Sequence, residues 1–300
     1  MLTVNYPPKI ENYSCCTAFS AISLVSMGKG DIKCTRMLRA MHQHDDRLEI
    51  LFIKQGKNIY IINGQKYYAS QGNVVIINSG VPHEEIAADN DGAVVYSCAV
   101  TNLHVDGLKA NCLISDIQFP IIKDLSEYQK QEIENMFLMM YGHINKNSIY
   151  SGEIAIHILK ALMMNLLELL CRQKNTDVEQ FAKCKYSNNI CHYIISHFGE
   201  QISLEKIARI MNLNQYYIAH IFKKNVGSSI IEYLVRCRLG EAQSYLLQTN
   251  KTITDIAYIV GFNSGSYFQT IFKKYIGVTP KGYRKCWTDS INGDFINILM

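Results

Sequence analysis

The chain has 300 residues, 48% of them hydrophobic and 19% charged. Single cores rarely grow past about 250 residues, so two domains are expected, and this composition excludes a disordered or collagen-like chain. The best candidate for a membrane span, Ile154 to Leu170, is interrupted by His157, Lys160, Asn165 and Glu168, short of the ~18 apolar residues a span needs. The first residues carry Lys9 and Glu11 and no apolar signal-peptide stretch. Ten cysteines are scattered with no Cys-x-x-Cys, only the adjacent Cys15 and Cys16, so reduced thiols in a cytoplasmic chain are expected.

The net charge of +4 is unevenly placed. Met1 to Cys184 holds 17 Lys and Arg against 19 Asp and Glu, a net of −2, whereas Lys185 to Met300 holds 13 against 7, a net of +6. A near-neutral front and a basic back imply two tasks, with the back facing a polyanion.

Along the front, short β-rich runs alternate with turn residues. The runs are Glu49 to Ile53, Asn58 to Ile62, Gln65 to Ala69, Val74 to Ile77 and Ala93 to Ala99. Gln55-Gly56, Asn63-Gly64, Gln71-Gly72, Ser79-Gly80 and Asp91-Gly92 punctuate them. Asn63-Gly64 signals a hairpin, because a type I′ turn needs positive φ at both central residues. Many short strands with regular turns predict a sandwich or small barrel.

Within this region the stretch H-x-H-x4-E-x6-G begins at His42, His44 and Glu49, and G-x5-N-x-G-x2-H ends at His83. These two stretches resemble the motifs of the cupin double-stranded β-helix, with Asn78 where that family favours Pro. Three imidazoles and one carboxylate can bind a divalent transition metal such as Fe, Mn or Zn. Cupins fused to DNA-binding domains often bind none, so the four residues are read as polar lining of a ligand pocket, with no metal or other cofactor expected. The candidate pocket residues are Arg36, Arg39, His42, His44, Glu49, Tyr60 and His83. Their mixture suits a polar metabolite such as a sugar or an organic acid.

Helices are predicted over Leu125 to Tyr141 and Gly152 to Cys171. In the second, Ile154, Ile158, Leu162, Leu166 and Leu169 draw one apolar face, widened by Ile156, Leu159, Met163 and Leu167. Apolar side chains on more than one side predict packing on the strands and on a second subunit. The polar stretch Arg172 to Asn188 reads as a linker.

The back half contains a repeat. Phe222-Lys223-Lys224 recurs as Phe272-Lys273-Lys274, Tyr217 aligns with Tyr267 and Gly227 with Gly277. Upstream, Ile207-Ala208 aligns with Ile256-Ala257. Each copy reads as a short helix, a tight turn and a longer helix: Leu204 to Met211 then Asn214 or Gln215 to Asn225, and Thr254 to Val260 then Ser264 to Tyr275. Ala208 and Ala257 permit close helix crossing, Asn212 and Gly261 supply left-handed turns, and Asn214 and Asn263 are candidate N-caps. Ile230 to Leu247 reads as the helix joining the two units.

Residues Ile190 to Arg284 resemble the DNA-binding domain of the AraC/XylS family of transcription regulators. The segments ISLEKIARIMNLNQYYIAHIFKK and ITDIAYIVGFNSGSYFQTIFKKYIGVTPKGYR carry the likeness, together with R-x-R-L-x-x-A from Arg236 to Ala242. The resemblance implies an α+β two-domain protein: a cupin-like β-barrel with a helical dimerisation segment over 1–172, a linker over 173–188, an all-α domain with two helix-turn-helix units over 189–287, and a tail over 288–300. It implies a regulator and not an enzyme, an activator that senses a small-molecule effector and engages double-stranded DNA and RNA polymerase as a homodimer away from any membrane. A metal-dependent cupin enzyme with a DNA-binding appendage, or a constitutive DNA-binding dimer, are the alternatives.

Carried onto this sequence, the family's base-contact positions are Tyr216, Ala219 and His220 in the first recognition helix, and Gly265, Ser266, Gln269 and Thr270 in the second. Where the family often has Arg, this chain has His220 and Thr270, which predicts weaker guanine readout and more dependence on phosphate contacts and DNA shape. Lys223, Lys224, Lys273 and Lys274 are assigned to phosphates. Two recognition helices in successive major grooves would lie roughly 34 Å apart.

Overall fold

The computed structural model describes residues 19, 21–30, 40–88, 93–115, 119–146, 148–172 and 185–291. Arg36, Arg39 and the Cys15-Cys16 pair lie outside the described residues. Seven strands come first: β1 (Ser23–Gly30), β2 (Leu48–Ile62), β3 (Gln65–Ser70), β4 (Val74–Ile77), β5 (His83–Ala87), β6 (Ala93–Thr101) and β7 (Ile121–Ile122). Helices follow: α1 (Glu127–Lys146), α2 (Ser151–Arg172), α3 (Lys185–His197), α4 (Leu204–Ile210), α5 (Gln215–Val226), α6 (Ile230–Gln248), α7 (Ile253–Ile259), α8 (Gly265–Ile276) and α9 (Pro280–Ile291). A strand-rich front half and a helical back half are thus both present. Helix α3 begins inside the segment read as linker, and α9 runs past residue 287.

Strand β2 organises the front half. Its first part pairs antiparallel with β6 and β4, and its last part, Lys57 to Ile62, pairs with β3 and β5. The two runs that the sequence separates at Gln55-Gly56 are therefore one bent strand. Gly56 takes φ 83° beside a register shift between Ile53 and Gln55, so it serves a bulge and not a chain reversal. The reversal at Asn63-Gly64 is a true hairpin turn, with φ 48° and 75°.

Alternation along the strands divides the apolar side chains into two cores. Leu48, Ile50, Phe52, Val74, Ile76, Tyr96, Cys98 and Val100 join Ile133, Phe137 and Met140 of α1 and Leu159, Leu162, Met163 and Leu166 of α2. Leu51, Ile53, Tyr60, Ile62, Val75, Ile77 and Val95 pack on the opposite face. A sheet buried on both faces explains the unbroken apolar run of β4.

Helix α2 is the one described helix long and apolar enough to cross a membrane by length and composition. Its buried stripe is Ala155, Leu159, Leu162, Met163, Leu166, Leu169 and Leu170. Leu162, Leu166 and Leu169 of the expected face are buried together with Leu159 and Met163, and Ile158 packs against the same core, whereas Ile154 at the start of the helix is exposed, as is Met164.

In the back half the two units form as expected. Asn212 (φ 52°) and Gly261 (φ 92°) make the left-handed turns, while Ala208 and Ala257 are buried at the helix crossings. Phe222 and Phe272 are fully buried at the centres of separate cores. Asn214 caps α5 by accepting from Tyr216 N at 2.8 Å. The cap of α8 differs from expectation: Ser264 accepts from Tyr267 N, whereas Asn263 Oδ1 accepts from Gln201 Nε2 at 2.8 Å. Arg238 donates to the carbonyls of Phe198 and Glu200, both at 2.8 Å, and ties α6 to the end of α3. Ser264→Ala is expected to cost about 1 kcal/mol of stability, and Asn263→Ala less than about 0.5 kcal/mol, in urea unfolding of the full chain. Equal losses would contradict this capping assignment.

Candidate functional site

The back half presents the predicted DNA-facing residues on the outer sides of α5 and α8. Tyr216, His220, Lys223 and Lys224 are exposed on α5, and Ser266, Gln269, Thr270, Lys273 and Lys274 on α8. Ala219 and Gly265 are half-buried. Alternation of Ile218, Phe222 and Val226 inward, and Phe268, Phe272 and Ile276 inward, turns these outward faces to solvent. Tyr217 and Tyr267, equivalent residues of the two copies, add exposed aromatic surface beside them.

Both lysine pairs fall in the last helical turn, ahead of the left-handed C-caps Gly227 and Gly277. There they complement the negative end of the helix dipole. The Thr270 hydroxyl donates back to Ser266 O at 3.1 Å. With its hydroxyl so engaged, Thr270 presents chiefly its methyl group to a partner.

In the front half, His42, His44, Glu49 and His83 converge, with a donor atom from each lying within 4.8 Å of the others. His44 Nε2 lies 3.1 Å from Glu49 Oε1, and His83 Nε2 lies 3.2 Å from Glu49 Oε2. The His42 and His83 rings are 4.1 Å apart between centroids. Burial opposes the Glu49 charge, but the imidazoles of His44 and His83 against its two oxygens outweigh it and hold the carboxyl well below its usual range.

Two backbone contacts orient the imidazoles. His42 Nδ1 sits 2.9 Å from Ala40 O and His83 Nδ1 2.9 Å from Val81 O, so each ring spends that N–H on a carbonyl and turns Nε2 to its other side. His83 is almost fully buried, and its Nε2 faces Glu49 Oε2 without the alignment of a hydrogen bond. Two lone pairs at that separation repel unless a cation, proton or metal, lies between them. Three imidazoles and a carboxylate, two of the rings braced by carbonyls, make a donor set suited to Zn, Mn or Fe. The residues fit a divalent transition metal.

Tyr60 is set apart from this cluster, fully buried on the inner face of β2. Asn58, two residues away on the same strand, was not singled out from sequence. Both its amide atoms and the Tyr60 hydroxyl are buried with no hydrogen-bond partner. An Asn between strand residues of high apolar content was the available signal.

Comparison with known proteins accords with this geometry. A helix-turn-helix domain profile matches residues 207–285, and an AraC-like ligand binding domain profile matches residues 35–167. The chain belongs to the AraC family of transcription regulators. Similar relatives include the regulator YdiP of Escherichia coli K12, 25% identical over 81% of this chain and 80% of its own length. The transcriptional activator RhaS of Enterobacter sp. strain 638 is 26% identical over 81% of this chain and 87% of its own. The melibiose operon regulatory protein of E. coli K12 is 23% identical over 85% of this chain and 86% of its own. This AraC-family protein is a DNA-binding transcription regulator with a ligand-binding front domain and a helix-turn-helix back domain.

For this regulator, Thr270→Val keeps the methyl group and is expected to hold affinity for a selected DNA fragment within about twofold, whereas Thr270→Ser loses about 1 kcal/mol where the methyl meets a thymine. Fluorescence anisotropy on that fragment checks it, and the reverse order of the two variants would contradict it.

Proposed function

We propose that this AraC-family regulator is a cytoplasmic activator that works as a homodimer, answers a small effector in its front domain and engages RNA polymerase at the promoter. The observation that carries the DNA reading is the paired, outward display of α5 and α8 with an equivalent lysine pair in the last turn of each. Base contacts are assigned to Tyr216, Ala219, His220, Gly265, Ser266, Gln269 and Thr270, with Gln269 the candidate for adenine. Lys223, Lys224, Lys273 and Lys274 are assigned to phosphates. The activator reading is supported by the relative RhaS, and a sugar-class effector by the melibiose operon regulator.

A polar effector is also supported by the orphaned polar atoms of Asn58 and Tyr60, since buried groups of this kind are ordinarily satisfied. His42, His44, Glu49 and His83 supply a second polar group at the same domain, and a metal held there would add a Lewis-acid centre able to order a ligand. Exposed Leu138 and Met139 on α1, with Ile154 and Met164 on α2, support a subunit contact through the helical pair.

Lys273→Ala is expected to weaken binding to all DNA sequences alike and to flatten the slope of log K against log salt by about one unit. A titration of anisotropy across salt concentrations measures that slope. An unchanged slope would remove Lys273 from the phosphate contacts.

A further inference from the structure

The four-donor cluster and the contact between the two domains are built from the same two backbone segments. His42 N–H donates to His83 O at 2.9 Å and His83 N–H to His42 O at 2.8 Å, so the segments before α6 are locked together at the cluster itself. One residue before His42, Met41 is buried in the core of the first helix-turn-helix unit, with Cys191, Phe222 and Tyr233. Its neighbour Ala40 is buried in the core of the second, with Leu239, Ala257 and Phe272. One residue after His83, Glu84 accepts from Arg236 Nη1 of α6 at 3.1 Å in a mostly buried ion pair.

Helix α6 is shaped to receive these segments. Arg236, Gly240 and Gln243 recur on one side of it. Gln243 is fully buried and accepts from Ala40 N at 2.8 Å. A Cβ on Gly240 would overlap Met41 O, so the helix backbone lies directly against that carbonyl. Any displacement of His42 or His83 therefore meets α6 within one or two residues, and Ala40 and Met41 touch both DNA-reading units.

We infer that a divalent transition-metal ion held by His42, His44, Glu49 and His83 is a signal that the DNA-binding half reads through Met41 and Glu84. The inference rests on the effector-responsive reading above and narrows the effector, or a co-effector, to a metal cation. Ligation fixes the His42 and His83 rings relative to one another. Their bridged backbones pass that constraint to the Glu84–Arg236 pair and to the seat of Met41 on Gly240. The set of positions open to the two recognition helices changes with it.

The test uses the full chain and zinc or manganese chloride alone, with calorimetry for binding and hydrogen exchange for the backbone of α6. The wild type is expected to bind one ion per chain, and exchange over residues 232–243 to change by about fivefold on saturation. His44→Gln loses binding and response together, and the wild-type measurement decides the matter if that variant does not fold. Glu84→Gln lies outside the donor set, so it keeps binding and loses most of the α6 response. Binding in the wild type without a change in α6, or an undiminished response in Glu84→Gln, overturns the relay. No binding in the wild type overturns the cation. Neither failure touches DNA recognition, which the salt slope of Lys273→Ala tests independently.

Discussion

The backbone of α6 lies against the carbonyl of Met41 because residue 240 has no side chain. On that close approach depends the joining of front and back. It brings Arg236 to Glu84 and Gln243 to Ala40, and it sends the adjacent residues Ala40 and Met41 into the cores of different helix-turn-helix units. The tip of the β2–β3 hairpin adds a second point of contact, since a Cβ on Gly64 would meet Cys191 Sγ at 2.8 Å. Burial pushes the Glu84 carboxyl up, with the charge of Arg236 offsetting only part of it. On Arg236 burial acts to lower the guanidinium, but Glu84 and Glu232 outweigh it and leave it raised. A pair of this kind adds little net stability over an apolar contact, yet breaking one side leaves an uncompensated buried charge. It therefore favours one arrangement of the two domains over looser ones.

That arrangement bears on how weakly specific side chains can make a regulator. Neither His220 nor Thr270 offers the forked donor of an arginine, and the Thr270 hydroxyl is spent within its own helix. On the proposed assignment, phosphate contacts from the two lysine pairs, and the separation of the two reading helices, carry correspondingly more of the recognition. A front domain that touches both units can change this separation without touching a base contact.

The tandem units were legible because their signals are local: apolar spacing along one helix, a small residue at each crossing and a left-handed Asn or Gly at each turn. The hairpin at Asn63-Gly64 was legible for the same reason. Gln55-Gly56 misled because positive φ serves a bulge as readily as a turn, and only cross-strand pairing distinguishes them. Ser264 displaced Asn263 as cap because adjacent polar residues are equally able to cap until the helix start is known. The four-residue cluster was visible as a spacing motif, but its orienting carbonyls, Ala40 and Val81, were not. Glu84 and Arg236 stand 152 residues apart, and nothing within either segment marks the other as its partner. Gly240, a glycine inside a strong helical pattern, was the one local sign of a close approach.

A double-mutant cycle on Glu84→Ala and Arg236→Ala, read by urea unfolding of the full chain, tests the contact between the domains most directly. The buried pair predicts a coupling of about 1–3 kcal/mol, with the double variant less destabilised than the sum of the singles. Additivity within about 0.5 kcal/mol would mean that the two side chains do not meet in solution, and would contradict the account.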